Sequence, residues 1–243
     1  MAGMGARDRL IVALDVATPE EARALVAKLG DTVGFYKIGL ELAMAGGLDL
    51  ARELVRNGKR VFLDMKLLDI ENTVERATRN AAAIGATFLT VHALDLKTLR
   101  AAKAGKAGTS LGILGVTVLT NLDAADLREQ GIAATAADLV ARRAGLAREA
   151  GCEGVVASGH EAASVRAIVG PRMAIVTPGI RLPGEAAGDQ ARVATPEQAI
   201  AAGADYLVVG RPINGAGDPA HAADVFIRSI EAGLAKRTPA TVG

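Results

Sequence analysis

Short, almost unbroken apolar runs alternate along the chain with longer segments rich in alanine, leucine and charged residues. Such Val, Ile, Leu and Phe runs are typical of parallel strands covered on both faces. Eight of them are predicted as strands, at residues 10–15, 34–38, 60–66, 87–92, 111–119, 154–157, 173–177 and 206–209. Between them, Thr18-Pro19-Glu20 and Thr195-Pro196-Glu197 match helix starts, with threonine as the N-cap and proline in the first turn.

The repeated strand–helix order predicts a (β/α)8 TIM barrel, because eight such units fit into about 240 residues. A doubly wound open sheet is the competing architecture. No linker or shift in composition marks a second domain. We therefore expect one barrel domain over residues 1–243, with a frayed tail at about 236–243.

Charged residues stand at the ends of the first three predicted strands. Residues two apart on a strand share a face, which puts Phe62, Asp64 and Lys66 together on the predicted inner face. Asp15 and Lys37 take matching places on strands one and two. Burying an unpaired charge is costly, but two acidic and two basic groups can offset one another. The carboxyl ends of barrel strands carry active sites, so this cluster is a candidate; a structural ion-pair cluster is the alternative.

A second group of residues follows the last two strands. Thr177-Pro178-Gly179-Ile180-Arg181 leaves strand seven, and Gly210-Arg211 leaves strand eight. In barrels these two loops often form a phosphate site from backbone N–H groups and arginine. The stretch 179–194 is long and lacks a helical period, which favours a functional loop that moves. The alternative is that the turns only reverse the chain and both arginines are solvated.

Composition argues against some classes of function but does not identify a site. Lys and Arg number 28 against 27 Asp and Glu, and the only aromatic residues are 4 Phe and 2 Tyr. This balance argues against a surface built to bind nucleic acid. The single cysteine, Cys152, fits a reducing compartment, and three scattered histidines indicate no transition-metal site. A hard-ion site at Asp64 and Asp69 stays open.

No segment predicts a membrane or secretory protein. The mean hydropathy is +0.27, yet no apolar run approaches the length of a bilayer span. The N-terminal residues lack the apolar core of a signal peptide. We therefore expect a soluble, cytoplasmic protein.

Six segments stand out together: Leu14-Asp15, Phe35-Tyr36-Lys37-Ile38-Gly39, Asp64-Met65-Lys66-Leu67-Leu68-Asp69-Ile70, Thr90-Val91-His92-Ala93, Thr177-Pro178-Gly179-Ile180-Arg181 and Gly210-Arg211. As a set they resemble the orotidine 5′-phosphate decarboxylase family. The resemblance runs from about residue 10 to 213. D-x-K-x-x-D alone is shared with sugar-phosphate enzymes of the same superfamily, but T-P-G-I-R and the downstream Asp189-Gln190 make the set specific.

The resemblance implies a decarboxylase, free of cofactor and metal, that makes uridine 5′-monophosphate in the last step of de novo pyrimidine synthesis. It implies that Lys66 protonates the ring carbon and that Asp64 lies against the substrate carboxylate. Asp15 and Lys37 would hold the ribose hydroxyls, and Lys37 would also join the charge network. The other implied substrate contacts are Thr120 for the pyrimidine, and Arg181, Gln190, Gly210 and Arg211 for the phosphate.

The resemblance also implies a homodimer in which Asp69 and Thr73 reach the neighbouring site. From its position alone, Asp69 is equally an acid near a helix N-terminus. His92 is interpreted as a packed structural histidine. Asn121 and Ala157-Ser158-Gly159-His160 depart from the family's usual residues without touching an assigned role.

Three other functions compete with this interpretation. The nearest is a magnesium-dependent sugar-phosphate decarboxylase or synthase of the same superfamily. The others are a non-catalytic nucleotide-binding barrel and a phosphosugar isomerase or aldolase, because the fold alone does not decide function.

Overall fold

The computed structural model describes residues 4–184 and 194–237, where eight parallel strands close into a barrel. The strands are β1 (Leu10–Ala13), β2 (Phe35–Ile38), β3 (Arg60–Leu67), β4 (Phe88–His92), β5 (Gly112–Val116), β6 (Gly154–Val156), β7 (Ala174–Thr177) and β8 (Tyr206–Val209). Each strand pairs with the next, and β8 returns to pair with β1. The predicted (β/α)8 barrel is confirmed, and the open sheet is wrong because its first and last strands would not pair.

Helices connect successive strands, and further helices precede β1 (α1) and follow β8 (α11 and α12). They are α1 (Ala6–Arg9), α2 (Pro19–Leu29), α3 (Leu40–Leu42), α4 (Leu48–Arg56), α5 (Glu71–Ile84), α6 (Leu96–Gly105), α7 (Ala124–Glu129), α8 (Ala136–Glu149), α9 (Ala162–Val169), α10 (Pro196–Ala201), α11 (Arg211–Asn214) and α12 (Pro219–Lys236). Thr18 and Thr195 are N-caps as predicted, each accepting a hydrogen bond from the N–H three residues on. Of the helices in residues 4–184 and 194–237, none is long and apolar enough to cross a membrane.

Two predicted strands end at least two residues early in the structure. β1 ends at Ala13 instead of residue 15, and β5 ends at Val116 instead of residue 119. Beyond these points Asp15 and Leu119 line a cavity at the barrel mouth. An apolar run indicates that its residues are buried, but it does not indicate that all of them pair in the sheet. The sequence pattern therefore overestimated the length of both strands.

The core has two layers separated by the sheet. Outward-facing strand residues such as Val61 and Leu63 pack against the helices. The barrel interior holds a separate apolar cluster of Ile11, Ala13, Phe35, Phe62, Phe88, Leu114, Ala174, Val176, Tyr206 and Val208. The predicted two-residue alternation on β3 therefore holds at Val61, Phe62 and Leu63.

Aromatic rings fill the amino-terminal part of the barrel. Phe35, Phe88 and Tyr206 each begin a strand, and Phe62 pairs with Phe88 across β3 and β4. Phe88 and Tyr206 meet edge to face with ring centroids 5.3 Å apart. The guanidinium of Arg60 stacks on Phe35, 4.5 Å from the ring centroid. Because these rings fill the amino-terminal end, the barrel interior of the described residues opens toward the carboxyl ends of the strands, where a cavity lies.

An aspartate just before β8 ties the amino-terminal end of the barrel to four surrounding segments. Asp205 is 2% exposed and accepts hydrogen bonds from Arg166 on α9, from Arg237 after α12 and from the N–H of Ile175. Arg9 at the end of α1 donates to the Asp205 carbonyl oxygen at 3.1 Å. Buried charges of this kind are tolerated only when they are paired and hydrogen-bonded. The Asp205 cluster is thus a structural clamp far from the barrel mouth.

We expect Asp205→Asn to lower the free energy of unfolding by about 3–5 kcal/mol, because it leaves buried guanidinium groups without their counter-charge. Urea unfolding followed by circular dichroism measures this loss. Glu197→Gln is the control, since it breaks only a more exposed pair with Lys236 and should cost less than about 1 kcal/mol. Equal losses in the two variants would show that the clamp does not stabilise the barrel.

Candidate active site

Three neighbouring strands bring four charged side chains to the carboxyl end of the barrel. The Lys37 ammonium nitrogen lies 2.9 Å from Asp15 Oδ1 and 3.7 Å from Asp64 Oδ2. The Lys66 ammonium nitrogen lies 2.9 Å from Asp64 Oδ1. The result is an alternating row, Asp15–Lys37–Asp64–Lys66, in which each inner group touches two groups of opposite charge. The four side chains that the sequence put on one face do meet.

Asp64 is the most enclosed carboxylate of this row, with a side chain 15% exposed. Burial alone would raise its pKa. The ammonium groups of Lys37 and Lys66, and hydrogen bonds from Lys66 and Thr90, outweigh burial and lower the pKa of Asp64 below its ordinary value. Asp64 is therefore ionised at neutral pH, and its negative charge favours charged lysines on both sides.

The backbone of Lys66 is strained. Its φ is +48°, the only positive φ of a non-glycine residue in the described segments. In the β3–β4 pairing, Leu63 lies opposite Leu89 while Leu67 lies opposite Val91, so β3 bulges between them. A side chain held in the left-handed region costs about 1–3 kcal/mol, and such strain is found at functional sites. Lys66 lies within this bulge, and its ammonium contacts Asp64 in the row of charges.

Thr90 on β4 is a member of this cluster that sequence analysis missed as a functional residue. Its hydroxyl accepts a hydrogen bond from the Lys66 N–H and donates one to Asp64 Oδ1, both at 2.9 Å. Thr90 has no exposed surface. The two-residue alternation along β4 puts Thr90 on the same inner face as Phe88, and this could have indicated that Thr90 faces the site. The bulge in β3 that brings Lys66 to Thr90 is not visible in the sequence.

The charged row forms one wall of a cavity of about 380 Å³. Its other lining residues are Ala13, Phe62, Val116, Val118, Leu119, Thr120, Asn121, Val156, Val176, Pro178, Gly179, Arg181, Val208, Gly210 and Arg211. Valines from β5 to β8 form an apolar surface, and the loops after β7 and β8 add two arginines. This size and mixture suit a small anionic molecule with an apolar part.

Two glycines allow the backbone to approach the Asp15–Lys37 pair. A Cβ atom on Gly39 would lie 3.1 Å from the Lys37 ammonium nitrogen, and one on Gly210 would lie 3.3 Å from Asp15 Oδ2. Both distances are tighter than most real Cβ contacts, so a side chain at either position would push on the pair. Gly210 thereby brings the loop after β8, with Arg211, up against the charged row.

Residues 8–226 match the family model described as orotidine 5′-phosphate decarboxylase / HUMPS family. This chain belongs to that family. The orotidine 5′-phosphate decarboxylase of Rhodopseudomonas palustris (strain HaA2) is 56% identical over 224 residues, covering 92% of this chain and 95% of that protein. That of Methylorubrum extorquens (strain PA1) is 57% identical over 225 residues, covering 93% and 96%.

Solved structures agree with the family assignment. The crystal structure of orotidine 5′-phosphate decarboxylase from Lactobacillus acidophilus superposes with a TM-score of 0.82 at 36% identity, covering 92% of this chain and 99% of that one. An uncharacterized conserved protein from Geobacillus kaustophilus superposes with a TM-score of 0.79 at 32% identity, covering 91% and 99%. The likeness extends over almost the whole barrel.

Most residues singled out on grounds of family resemblance lie around this cavity. Asp15, Lys37, Asp64, Lys66, Thr120, Arg181, Gly210 and Arg211 all line it. Gln190 and Asp189 lie outside the described residues, as do 185–193 of the predicted phosphate loop and 238–243 of the predicted tail. Arg181 donates to the Ile180 carbonyl oxygen at 2.8 Å.

Asp69 and Thr73 of the decarboxylase pattern do not line the cavity of their own chain. Both side chains are exposed, in the loop after β3 and the first turn of α5. The Asp69 carboxylate accepts the N–H of Ile70 at 2.6 Å. Ile70 is the N-cap of α5, and no side chain caps that helix. Asp69 and Thr73 are therefore not part of the cavity that their own chain forms.

His92, at the end of β4, is half-buried near Lys66. Burial lowers the pKa of His92, and the Lys66 and Arg143 charges lower it further, so the ring is neutral at pH 7. Its neutrality agrees with the interpretation as a packed histidine. Within residues 4–184 and 194–237, no group of three or more His, Cys, Asp and Glu side chains converges to hold a metal ion.

The strain at Lys66 predicts an order of stability for two substitutions. We expect Lys66→Gly to be about 1 kcal/mol more stable than Lys66→Ala, because only glycine adopts a positive φ without a steric penalty. Both variants remove the ammonium group equally, so their difference isolates the backbone. Urea unfolding of the pair measures it, and an alanine variant at least as stable as the glycine variant would rule out strain at this position.

Proposed function

We propose that this chain decarboxylates orotidine 5′-phosphate to uridine 5′-monophosphate and CO2, with Lys66 as the proton donor. The observation that carries the proposal is the alternating row Asp15–Lys37–Asp64–Lys66 at the mouth of a cavity that Arg181 and Arg211 also line. A row of fixed charges next to an apolar wall suits a reaction that creates negative charge on carbon.

The cavity offers a separate region for each part of the nucleotide. Arg181 and Arg211 supply guanidinium groups for the phosphate, and Gly210 gives its oxygens a bare backbone to approach. Gln190 joins this phosphate site in our proposal. Asp15 and Lys37, which bond each other at 2.9 Å, can exchange hydrogen bonds with the ribose hydroxyls. Thr120 provides the polar contact for the pyrimidine edge.

The chemical step follows from the charges around Lys66. When the bond between ring carbon C6 and the carboxyl carbon breaks, CO2 leaves and the electron pair stays on C6. The Lys66 ammonium stabilises this charge and then transfers one proton to C6, leaving a neutral amine that regains a proton from solvent. Asp64, 2.9 Å from the ammonium nitrogen, holds the Lys66 ammonium in place until that moment.

Asp64 also acts on the substrate. The Lys66 and Lys37 ammonium groups, 2.9 and 3.7 Å from its oxygens, oppose protonation of Asp64 when the substrate carboxylate lies beside it. The two negative charges repel until CO2 has left, which is a secondary contribution beside stabilisation of the carbanion. Phosphate binding energy far from C6 holds the ring in place against that repulsion.

The contacts of the Asp64 carboxylate favour a reaction that uses no metal ion. Both of its oxygens face ammonium groups, at 2.9 and 3.7 Å, so a divalent cation would have to displace the lysines. A magnesium-dependent sugar-phosphate enzyme of the superfamily needs such a cation. We extend the proposal to a cytoplasmic enzyme, where the buried thiol of Cys152 would stay reduced.

We further propose a homodimer that shares residues between its sites. Exposed apolar side chains follow the neighbouring strands β2, β3 and β4, namely Leu40, Met44, Leu68, Ile70 and Leu94. Such a surface is typical of an interface between proteins. Asp69 stands between two of these side chains, so a second copy covering the surface would bring Asp69 and Thr73 to the partner's site.

We expect Lys66→Ala to lose more than about a thousandfold in kcat, because both charge stabilisation and the proton are removed. The decrease in absorbance of orotidine 5′-phosphate measures turnover, with EDTA present throughout. Lys103→Ala is the matched control: Lys103 pairs with Glu153 outside the cavity and should keep normal turnover. Activity in Lys66→Ala, or wild-type activity abolished by EDTA, would contradict the proposal.

A mixture of two inactive variants tests the shared site. Lys66→Ala and Asp69→Ala should each be nearly inactive alone, since every site of either homodimer lacks one group. Subunit exchange at equal amounts should restore about a quarter of wild-type activity, because half of the dimers then contain one intact site. Mixing Lys66→Ala with the double variant is the control, which should restore nothing. No recovery in the first mixture would mean that Asp69 does not serve the partner's site.

A further inference from the structure

Thr90 is fully buried on β4 and is absent from the lining of the cavity. Its hydroxyl nevertheless bonds two members of the charged row. The oxygen accepts the Lys66 N–H at 2.9 Å, and the O–H donates to Asp64 Oδ1 at 2.9 Å. One hydroxyl therefore uses both its acceptor and its donor on residues of the neighbouring strand.

These bonds form part of a closed ring. Asp64 Oδ1 accepts from Thr90 and also from the Lys66 ammonium at 2.9 Å, while the backbone of Lys66 donates back to Thr90. Lys66 is thus held at two points. Thr90 accepts its backbone N–H, and its ammonium bonds Asp64, the carboxylate that Thr90 orients. Buried networks in which each member is satisfied fix a single geometry.

The bulge in β3 explains why such a support is needed. Lys66 has no Cα partner in the β3–β4 register, and its φ of +48° is unfavourable for a lysine. A buried N–H needs an acceptor, and here a side chain of β4 supplies it instead of a sheet carbonyl. Without that acceptor, nothing in the β3–β4 pairing favours the strained conformation.

We propose that Thr90 is a positioning residue: its hydroxyl holds the Lys66 backbone and the Asp64 carboxylate so that the Lys66 ammonium is aimed at the reacting carbon. This inference rests on the proposed role of Lys66. Thr90 itself does not touch the substrate. A displacement of about 1 Å in a reacting group can cost about a hundredfold in rate, which sets the size of the expected effect.

A pair of substitutions separates the hydroxyl from the shape of the side chain. Thr90→Val keeps the volume and removes the hydroxyl, whereas Thr90→Ser keeps the hydroxyl and removes a methyl group. Thr98→Val is the matched control, because the buried Thr98 hydroxyl also donates to a carboxylate, Asp95 Oδ2 at 3.0 Å, but Thr98 is outside the cavity lining.

We expect Thr90→Val to lower kcat by about ten- to a hundredfold while KM changes by less than about threefold, since binding groups stay in place. Thr90→Ser should keep kcat within about threefold of wild type, and Thr98→Val should leave it unchanged. A Thr90→Val variant with normal kcat would overturn the proposal. So would an equal loss in Thr90→Ser, which would assign the effect to packing of the methyl group.

A second readout does not depend on turnover. Amide hydrogen exchange of Lys66, followed by nuclear magnetic resonance, should be at least about tenfold faster in Thr90→Val than in wild type, because the N–H has lost its acceptor. Thr98→Val should leave that exchange rate unchanged. Equal exchange of the Lys66 amide in wild type and Thr90→Val would overturn the proposal even if kcat fell.

The two readouts also distinguish this inference from the proposed function. A wild-type protein that does not turn over orotidine 5′-phosphate would overturn the proposed function, while Lys66 exchange would still decide whether Thr90 holds this backbone. Should Thr90→Val fail to fold, Thr90→Cys replaces it, since a thiol fills the site but is a weak donor and acceptor. The same kinetic and exchange results are expected for that variant.

Discussion

The structure depends on one constraint: Asp64 must remain charged in a largely enclosed position at the barrel mouth. Burial opposes its charge, so the carboxylate needs Lys37 and Lys66 within reach, and these lysines in turn need carboxylates. Parallel strands supply that arrangement, because the carboxyl ends of β1, β2 and β3 come together on one edge of the barrel. The charges that the proposed reaction uses are thus the same charges that stabilise one another in this enclosed position.

Stability and chemistry occupy opposite ends of the barrel. The amino-terminal end is sealed by rings such as Phe88 and Tyr206 and clamped by the arginines around Asp205. That rigid base leaves the carboxyl end free to hold an open cavity and a strained residue, Lys66. Proteins often keep such locally unfavourable features where function requires them, with the surrounding fold supplying the stability.

The sequence predicted this architecture and much of the site because both follow from local patterns. Period two along β3 was enough to put Asp64 and Lys66 on the inner face. It could not predict the positive φ of Lys66 or the bond from Thr90, since both come from a register shift between two strands. The role of Asp69 in a partner's site is a proposal that comes from the family resemblance, because the exposed position of Asp69 after β3 does not by itself point to a second chain.

If Lys66 donates the proton, its ammonium faces the ring carbon that loses CO2. A crystal structure of the protein with bound uridine 5′-monophosphate would reveal this contact. We expect ring carbon C6 within about 3–3.5 Å of the Lys66 ammonium nitrogen, with the phosphate on Arg181 and Arg211. A nucleotide bound with C6 away from Lys66, or with its phosphate at the charged row, would contradict this expectation.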